Sequence, residues 1–336
     1  MHKMMVAPIL GAFVLLTAPL AQAQEGKQKA PKQEVAMPTE AGVVRLKPEM
    51  DAVVAADAKP ELLRDGFKKG LEGGVWVEKG GYLLFSNKPE QTINRWTRDG
   101  QYSVYLDLKP FVNPPGTRVT MASGMALDKE GRLVYCSAGE QAIIRLEADG
   151  KRTVLLDNFE GKRFVHPNDM TFRSDGSLYF SDQGDPPPGK TAEQSTGAYL
   201  FKDGKLRRIA EQLKRPNGLA MSADERTIYI ADADEKKLFR FEILPDGSTG
   251  KPEFVIDVAK QGSIDGMRVD KAGRIYLGLP GGVWVVAPDG THIGTIVIPD
   301  RVSNMAFGDD DLKTLYMMNH TTLYKIKLKA EGPKRW

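Results

Sequence analysis

Six polar side chains recur in phase along this chain. Glu72, Ser123, Asn168, Asn217, Asp265 and Asn304 each stand ten or eleven residues ahead of a short apolar segment of one common shape. Together they offer two carboxylates and three carboxamides, with no thiol and one nearby imidazole, His166. Hard oxygen donors of this kind suit Ca²⁺ first and Mg²⁺ or Mn²⁺ next, with Zn²⁺ an alternative that would rather have His or Cys. A cation would also explain why two carboxylates share a crowded interior, where unpaired charge is costly. The competing reading is a structural ion or a water-filled, hydrogen-bonded ring. Any one Asn-Gly or Asp-Gly pair alone is a turn signal; the repetition is what selects these.

The apolar segments that would position them are Leu83-Leu84-Phe85-Ser86, Leu133-Val134-Tyr135-Cys136, Leu178-Tyr179-Phe180-Ser181, Ile228-Tyr229-Ile230-Ala231, Ile275-Tyr276-Leu277-Gly278 and Leu315-Tyr316-Met317-Met318. Their spacings are 50, 45, 50, 47 and 40 residues. Most follow a turn signal, such as Lys129-Glu130-Gly131 or Ser174-Asp175-Gly176, and several lead into a second strand and turn, as Leu238-Phe239-Arg240-Phe241 leads to Asp246-Gly247. Beyond the N-terminal residues no stretch keeps a 3.6-residue apolar period, so few helices are expected. Short strands repeating every 40 to 50 residues predict an all-β, six-bladed β-propeller with an axial metal site. A two-domain β-sandwich is the alternative, but sandwiches do not require in-phase repetition. The same position in every blade faces the same radius, which would gather the six polar residues around the channel. Ring closure is expected between a strand at about 42–54 and C-terminal strands at about 323–328.

With 336 residues, 41% hydrophobic and 27% charged, the chain is neither a disordered nor a disulfide-stapled type. A formal charge of +3 is too small a surplus for a phosphate-tracking surface, which argues against nucleic acid as a partner. The single cysteine, Cys136, lies in an apolar strand-like run and reads as a buried, inert thiol. Residues 1–23 read as an export signal: one lysine, an apolar run from Val6 to Leu20, and Ala21-Gln22-Ala23 as the cleavage site. The run is too short to span a bilayer, so no membrane span is expected after cleavage. Residues 24–40 read as a flexible leader and 41–336 as a single propeller domain, exported and periplasmic. The Pro-rich stretch from Gly184 to Ser195 is too long for a hairpin turn and reads as a loop over the opening.

Taken in order, the stretches Leu71-Glu72-Gly73-Gly74-Val75-Trp76, His166-Pro167-Asn168-Asp169, Arg215-Pro216-Asn217-Gly218-Leu219-Ala220, Ile264-Asp265-Gly266-Met267 and Val302-Ser303-Asn304-Met305-Ala306-Phe307-Gly308 resemble the SMP-30/gluconolactonase/LRE-like family, to which regucalcin belongs. The resemblance covers about Asp51 to Leu328. It implies that Glu72, Asn217 and Asp265 hold a divalent ion, with Asn168 as a further ligand or a substrate contact. It also implies that Asp265 is the general base. From its place two residues before Asn168, His166 reads as a substrate contact or proton shuttle, with a structural role as the alternative, and Ser123 and Asn304 are expected among substrate contacts. Departures are visible: Glu72-Gly73-Gly74 stands for Glu-Gly-Pro, Ser123-Gly124 for Asn-Gly, and Gln183-Gly184-Asp185-Pro186-Pro187-Pro188 for a Pro-Pro-Tyr-Gly run. These changes touch substrate contacts more than the ion.

The implied activity is metal-dependent hydrolysis of a small lactone, gluconolactone first. The ion would polarise the carbonyl and a carboxylate would activate water. No Gly-x-Ser-x-Gly elbow is present, which argues against a serine esterase. The alternatives are a non-catalytic propeller that binds a ligand or protein, and a related esterase or phosphotriesterase.

Overall fold

Four of the repeats fold into four-stranded antiparallel meanders, each running outward from an inner strand. A computed structural model describes residues 37–111, 119–184 and 196–334. The export signal, most of the leader and the Pro-rich run therefore lie outside the described residues. The first blade orders Leu71–Val77, Tyr82–Asn87, Thr92–Thr97 and Tyr102–Asp107. The second orders Ala122–Leu127, Leu133–Ser137, Ala142–Leu146 and Arg152–Leu156. Inner strands Pro167–Phe172 and Pro216–Met221 open the third and fourth.

The last two repeats merge into one seven-stranded sheet because His292–Gly308 serves both. Its first half pairs with Ile275–Val286 (Val283 opposite Ile296), and its second half with Thr314–Asn319 (Met305 opposite Met317). The inner strand of the fifth blade is Met267–Val269, paired on Ile275–Val286. Each inner strand touches the next, and His292–Gly308 returns to Leu71–Val77, closing a six-bladed β-propeller.

The closing strands differ from expectation. Gly42–Arg45 pairs on the fifth blade (Val43 opposite Ile296), and Glu61–Arg64 closes the sixth against Thr322–Lys327 (Glu61 opposite Lys325). Pro48–Ala52 between them is a short 3₁₀ turn that drops Met50 into the core. An outer strand is solvated on both faces, so Glu-Leu-Leu-Arg carries no alternating pattern to mark it, whereas Gly-Val-Val-Arg looks more strand-like than its role requires.

Six hydrophobic clusters lie between neighbouring blades, one at each interface. The one joining first and sixth blades stacks Trp76 on Tyr316, ring centroids 5.5 Å apart. Cys136 is buried in the cluster between second and third blades, and burial pushes its thiol well up, in keeping with an inert role.

The glycines that follow ring residues set how closely blades approach. A methyl on Gly218 would fall well inside 3.0 Å of the Asp265 carbonyl, one on Gly73 against the Ser123 carbonyl, and one on Gly266 against the Asn304 side chain. Overpacking of this kind typically costs roughly 1–3 kcal/mol. Gly218→Ala is therefore expected to lower Tm by about 5 °C in a thermal melt. Gly42→Ala, whose added methyl meets nothing within 4 Å, leaves Tm unchanged.

Candidate active site

Inner strands of five blades carry a β-bulge at the ring position. Register shifts between Glu72 and Val75, Ala122 and Met125, Pro167 and Met170, Pro216 and Leu219, and Val302 and Asn304. A bulge leaves one residue unpaired and re-aims its side chain. In the fifth blade Asp265 precedes the strand instead, its N–H donating to the Gly278 carbonyl at 2.9 Å, while the Gly266 N–H reaches Ser303 at 2.7 Å.

These devices bring ring residues together across blade boundaries. Asn304 Nδ2 donates to Glu72 Oε2 at 3.3 Å, and Asn217 Nδ2 lies 3.3 Å from the Ile264 carbonyl and 3.5 Å from Asp265 Oδ1. Glu72 also accepts the N–H of Gly73 at 2.7 Å. Asn168 sits in the third-blade bulge with Nδ2 donating to Gln183 Oε1 at 3.2 Å. Ser123 is fully buried, its Oγ without a hydrogen-bond partner among the described residues. His166 is buried on the segment entering the third blade. Asp182 holds that segment by accepting N–H groups from Val165 at 2.8 Å and His166 at 2.6 Å.

Burial pushes Asp265 up to about 7, reinforced by the nearby Glu72 carboxylate and opposed by Arg301 and Lys88. Burial also raises Asp169 to about 6 against the pull of Arg268. Lys88 Nζ stands 3.6 Å from Glu72 Oε1, and Arg301 Nη1 stands 3.9 Å from Asp265 Oδ2.

Among the described residues no group of three or more His, Cys, Asp or Glu is placed to hold a metal. The donor set is instead two carboxylates completed by carboxamides, and one observation speaks for a cation there. Asn217 Oδ1 is buried, has no hydrogen-bond partner among the described residues, and belongs to the amide beside Asp265. An orphaned acceptor next to two carboxylates fits a hard cation.

Lys88, Arg301, Arg268 and Asp169 escaped the sequence reading. The first two follow the second strand of one blade and precede the inner strand of another, with no shared spacing to flag them. Arg268 had a signal, a lone cation within the apolar strand Met267–Val269. Its guanidinium donates to the Met267 and Gly74 carbonyls at 2.7 and 2.8 Å, tying fifth blade to first across the axis. Beyond it, further along the inner strands, lies a cavity of about 160 Å³ lined by Val75, Met125, Met170, Leu219 and Phe307.

Fold and site thus define a six-bladed propeller with an oxygen-donor ring at one end of its channel. Residues 71–321 match the SMP-30/gluconolactonase/LRE-like region, and the chain belongs to that family. A gluconolactonase from Zymomonas mobilis is 30% identical over 331 residues, covering 91% of this chain and 92% of that one. A solved gluconolactonase from Xanthomonas campestris superposes with a TM-score of 0.77 at 28% identity, over 88% of this chain and 98% of its own. A calcium-binding regucalcin from Agrobacterium tumefaciens shares the fold, with a TM-score of 0.65 at 20% identity over 82% of this chain and 96% of its own.

The raised Asp265 carboxyl makes metal-free stability depend on pH. Its proton is held more tightly folded than unfolded, so its stabilising effect is full below about pH 4 and is lost as pH rises through about 7. Asp265→Asn removes that loss. In chelator the variant is expected to melt a few degrees above the parent at pH 8, with the gap closing at pH 4.5, as read by thermal melts at both values.

Proposed function

We propose that this protein is a divalent-metal-dependent lactonase acting on a small sugar lactone, with gluconolactone the first substrate to try. The observation that carries the reading is the convergence of the Glu72 and Asp265 carboxylates with the unsatisfied Asn217 Oδ1. Membership of the family and similarity to gluconolactonases over nearly the whole chain support the reaction class.

Glu72, Asn168, Asn217 and Asp265 would hold the ion, Ca²⁺ by the hardness of the donors. When bound it would supply a Lewis acid for the lactone carbonyl and for the negative charge that builds on its oxygen. Asp265, the carboxylate beside Asn217 in the ring, would take the proton from the attacking water. As water adds to the carbonyl carbon, the ring C–O bond breaks and the departing oxygen takes up a proton, giving the open hydroxy acid. Asn304 fixes the Glu72 carboxylate through its amide N–H. Asp182 holds the His166 segment at the rim, which supports His166 and Asn168 as substrate contacts.

The N-terminal apolar run and Ala21-Gln22-Ala23 support export to the periplasm. Among the described residues no helix is long and apolar enough to cross a membrane. A mature protein beginning at Gln24, seen by intact mass after expression in a Gram-negative host, is the expected outcome.

Proton release from glucono-1,5-lactone, corrected for spontaneous hydrolysis, tests the activity. Turnover should vanish in chelator, return with Ca²⁺, and fall roughly 10²–10⁴-fold in Asp265→Asn with the fold intact by circular dichroism. A folded, Ca²⁺-loaded protein that turns over no lactone overturns the reading in favour of a binding propeller.

A further inference from the structure

Lys88 and Arg301 stand where their charge is needed only while the carboxylates are bare. Each pairs loosely with one of them, at 3.6 and 3.9 Å, beyond hydrogen-bond distance, so neither is locked in place. Their side chains keep 25% and 21% of their surface exposed, which leaves both open to the channel mouth. Arg301 is anchored by one donor, Nη1 to the Ser263 carbonyl at 2.9 Å, and its remaining N–H groups are available to a ligand.

The charge balance then points outward. On the metal-dependent reading above, on which this inference rests, a divalent ion neutralises Glu72 and Asp265 and leaves Lys88 and Arg301 without counter-charge. One acid remains nearby, Asp300, which accepts the backbone N–H of Arg301 at 2.7 Å and lies 3.4 Å from His320, so it offsets at most one of the two charges. Lys69 adds to the same side, close enough to His320 to act on its imidazole. Across the mouth at the fourth blade, Lys214 and Arg215 are already matched by Glu235 and Asp234. The surplus is an arc over the fifth, sixth and first blades.

We propose that Lys88 and Arg301 select lactones that carry a second, anionic group remote from the reacting carbonyl, a carboxylate, sulfonate or phosphate. An uncharged sugar lactone has nothing to offer two cations brought into a partly dehydrated mouth. An anionic one replaces the counter-charge that the ion displaced, and arginine suits the planar oxygens of such a group. The same pair would hold the product, which gains a carboxylate on ring opening.

A matched pair of substrates reads this out. D-glucaro-1,4-lactone and D-glucono-1,4-lactone differ at C6, a carboxylate in one and a hydroxymethyl in the other. The Ca²⁺-loaded parent should favour the glucaro compound in kcat/KM by about tenfold or more, and added NaCl should erode its rate but not that of the glucono compound. Lys88→Gln with Arg301→Gln should collapse the preference ratio, while Lys88→Arg with Arg301→Lys should keep most of it. Calorimetry supplies a second readout, with D-glucarate binding the parent more tightly than D-gluconate and the gap closing in the double Gln variant. Turnover of both lactones with equal kcat/KM and equal salt dependence overturns this inference and leaves the lactonase reading standing. Turnover of neither overturns this inference, and overturns both readings where glucono-1,5-lactone is left untouched as well.

Discussion

Repulsion between Glu72 and Asp265 has to be answered by positive charge, because burial weakens the screening that water would supply and raises Asp265 toward neutrality. Lys88 and Arg301 supply it, one cation beside each carboxylate at distances too long for a direct hydrogen bond. Such pairs compensate charge without saturating donors or acceptors. On the proposed reading, a divalent ion would add the charge that two carboxylates call for and these loose pairs supply only in part.

The same carboxylates would be harmless if the blades stood further apart, so their effect depends on backbone geometry. The inner strands converge until the residue after a ring position has no room for a Cβ, as at Gly218 against the Asp265 carbonyl. Bulges just after Glu72 and at Asn217 break strand pairing where these side chains meet Asn304 and Asp265 of neighbouring blades, and a third takes Asn168 out of the ladder. Glycine and bulge act together: one lets the strands close on the axis, the other turns polar groups toward it. The hydrophobic clusters between blades supply the force that holds this convergence, and they surround the site without entering it.

The inner half of each blade was legible because its first and second strands are buried and carry a repeated apolar signature, Leu178-Tyr179-Phe180-Ser181 being one case. The in-phase ring followed from the same repetition, and the structure confirms contacts between its members at Asn304 with Glu72 and Asn217 with Asp265. The outermost strands were illegible, since Glu61–Arg64 is solvated and has no pattern to preserve. The flanking cations were hidden for a different reason. Lys88 opens a short 3₁₀ turn of the first blade and Arg301 lies within the strand His292–Gly308, 213 residues apart, and only closure of the ring makes them neighbours of one site. Asp169 stood in plain view beside Asn168 but was masked by it, both being polar residues of a single bulge.

Arg268 gives the channel its direction. By donating to the Gly74 and Met267 carbonyls it spans the axis between first and fifth blades, with Glu72 and Asp169 close enough to favour its charge on one side and the apolar cavity on the other. A guanidinium that satisfies two backbone carbonyls is costly to displace, because both acceptors would be left buried and unpaired. The polar ring is thereby separated from the cavity beyond it, and a substrate must approach from the face that carries Lys88, Arg301 and the His166 segment. Specificity is therefore expected to reside in the loops of that face, which differ in sequence from blade to blade, while the chemistry stays with the ring that repeats.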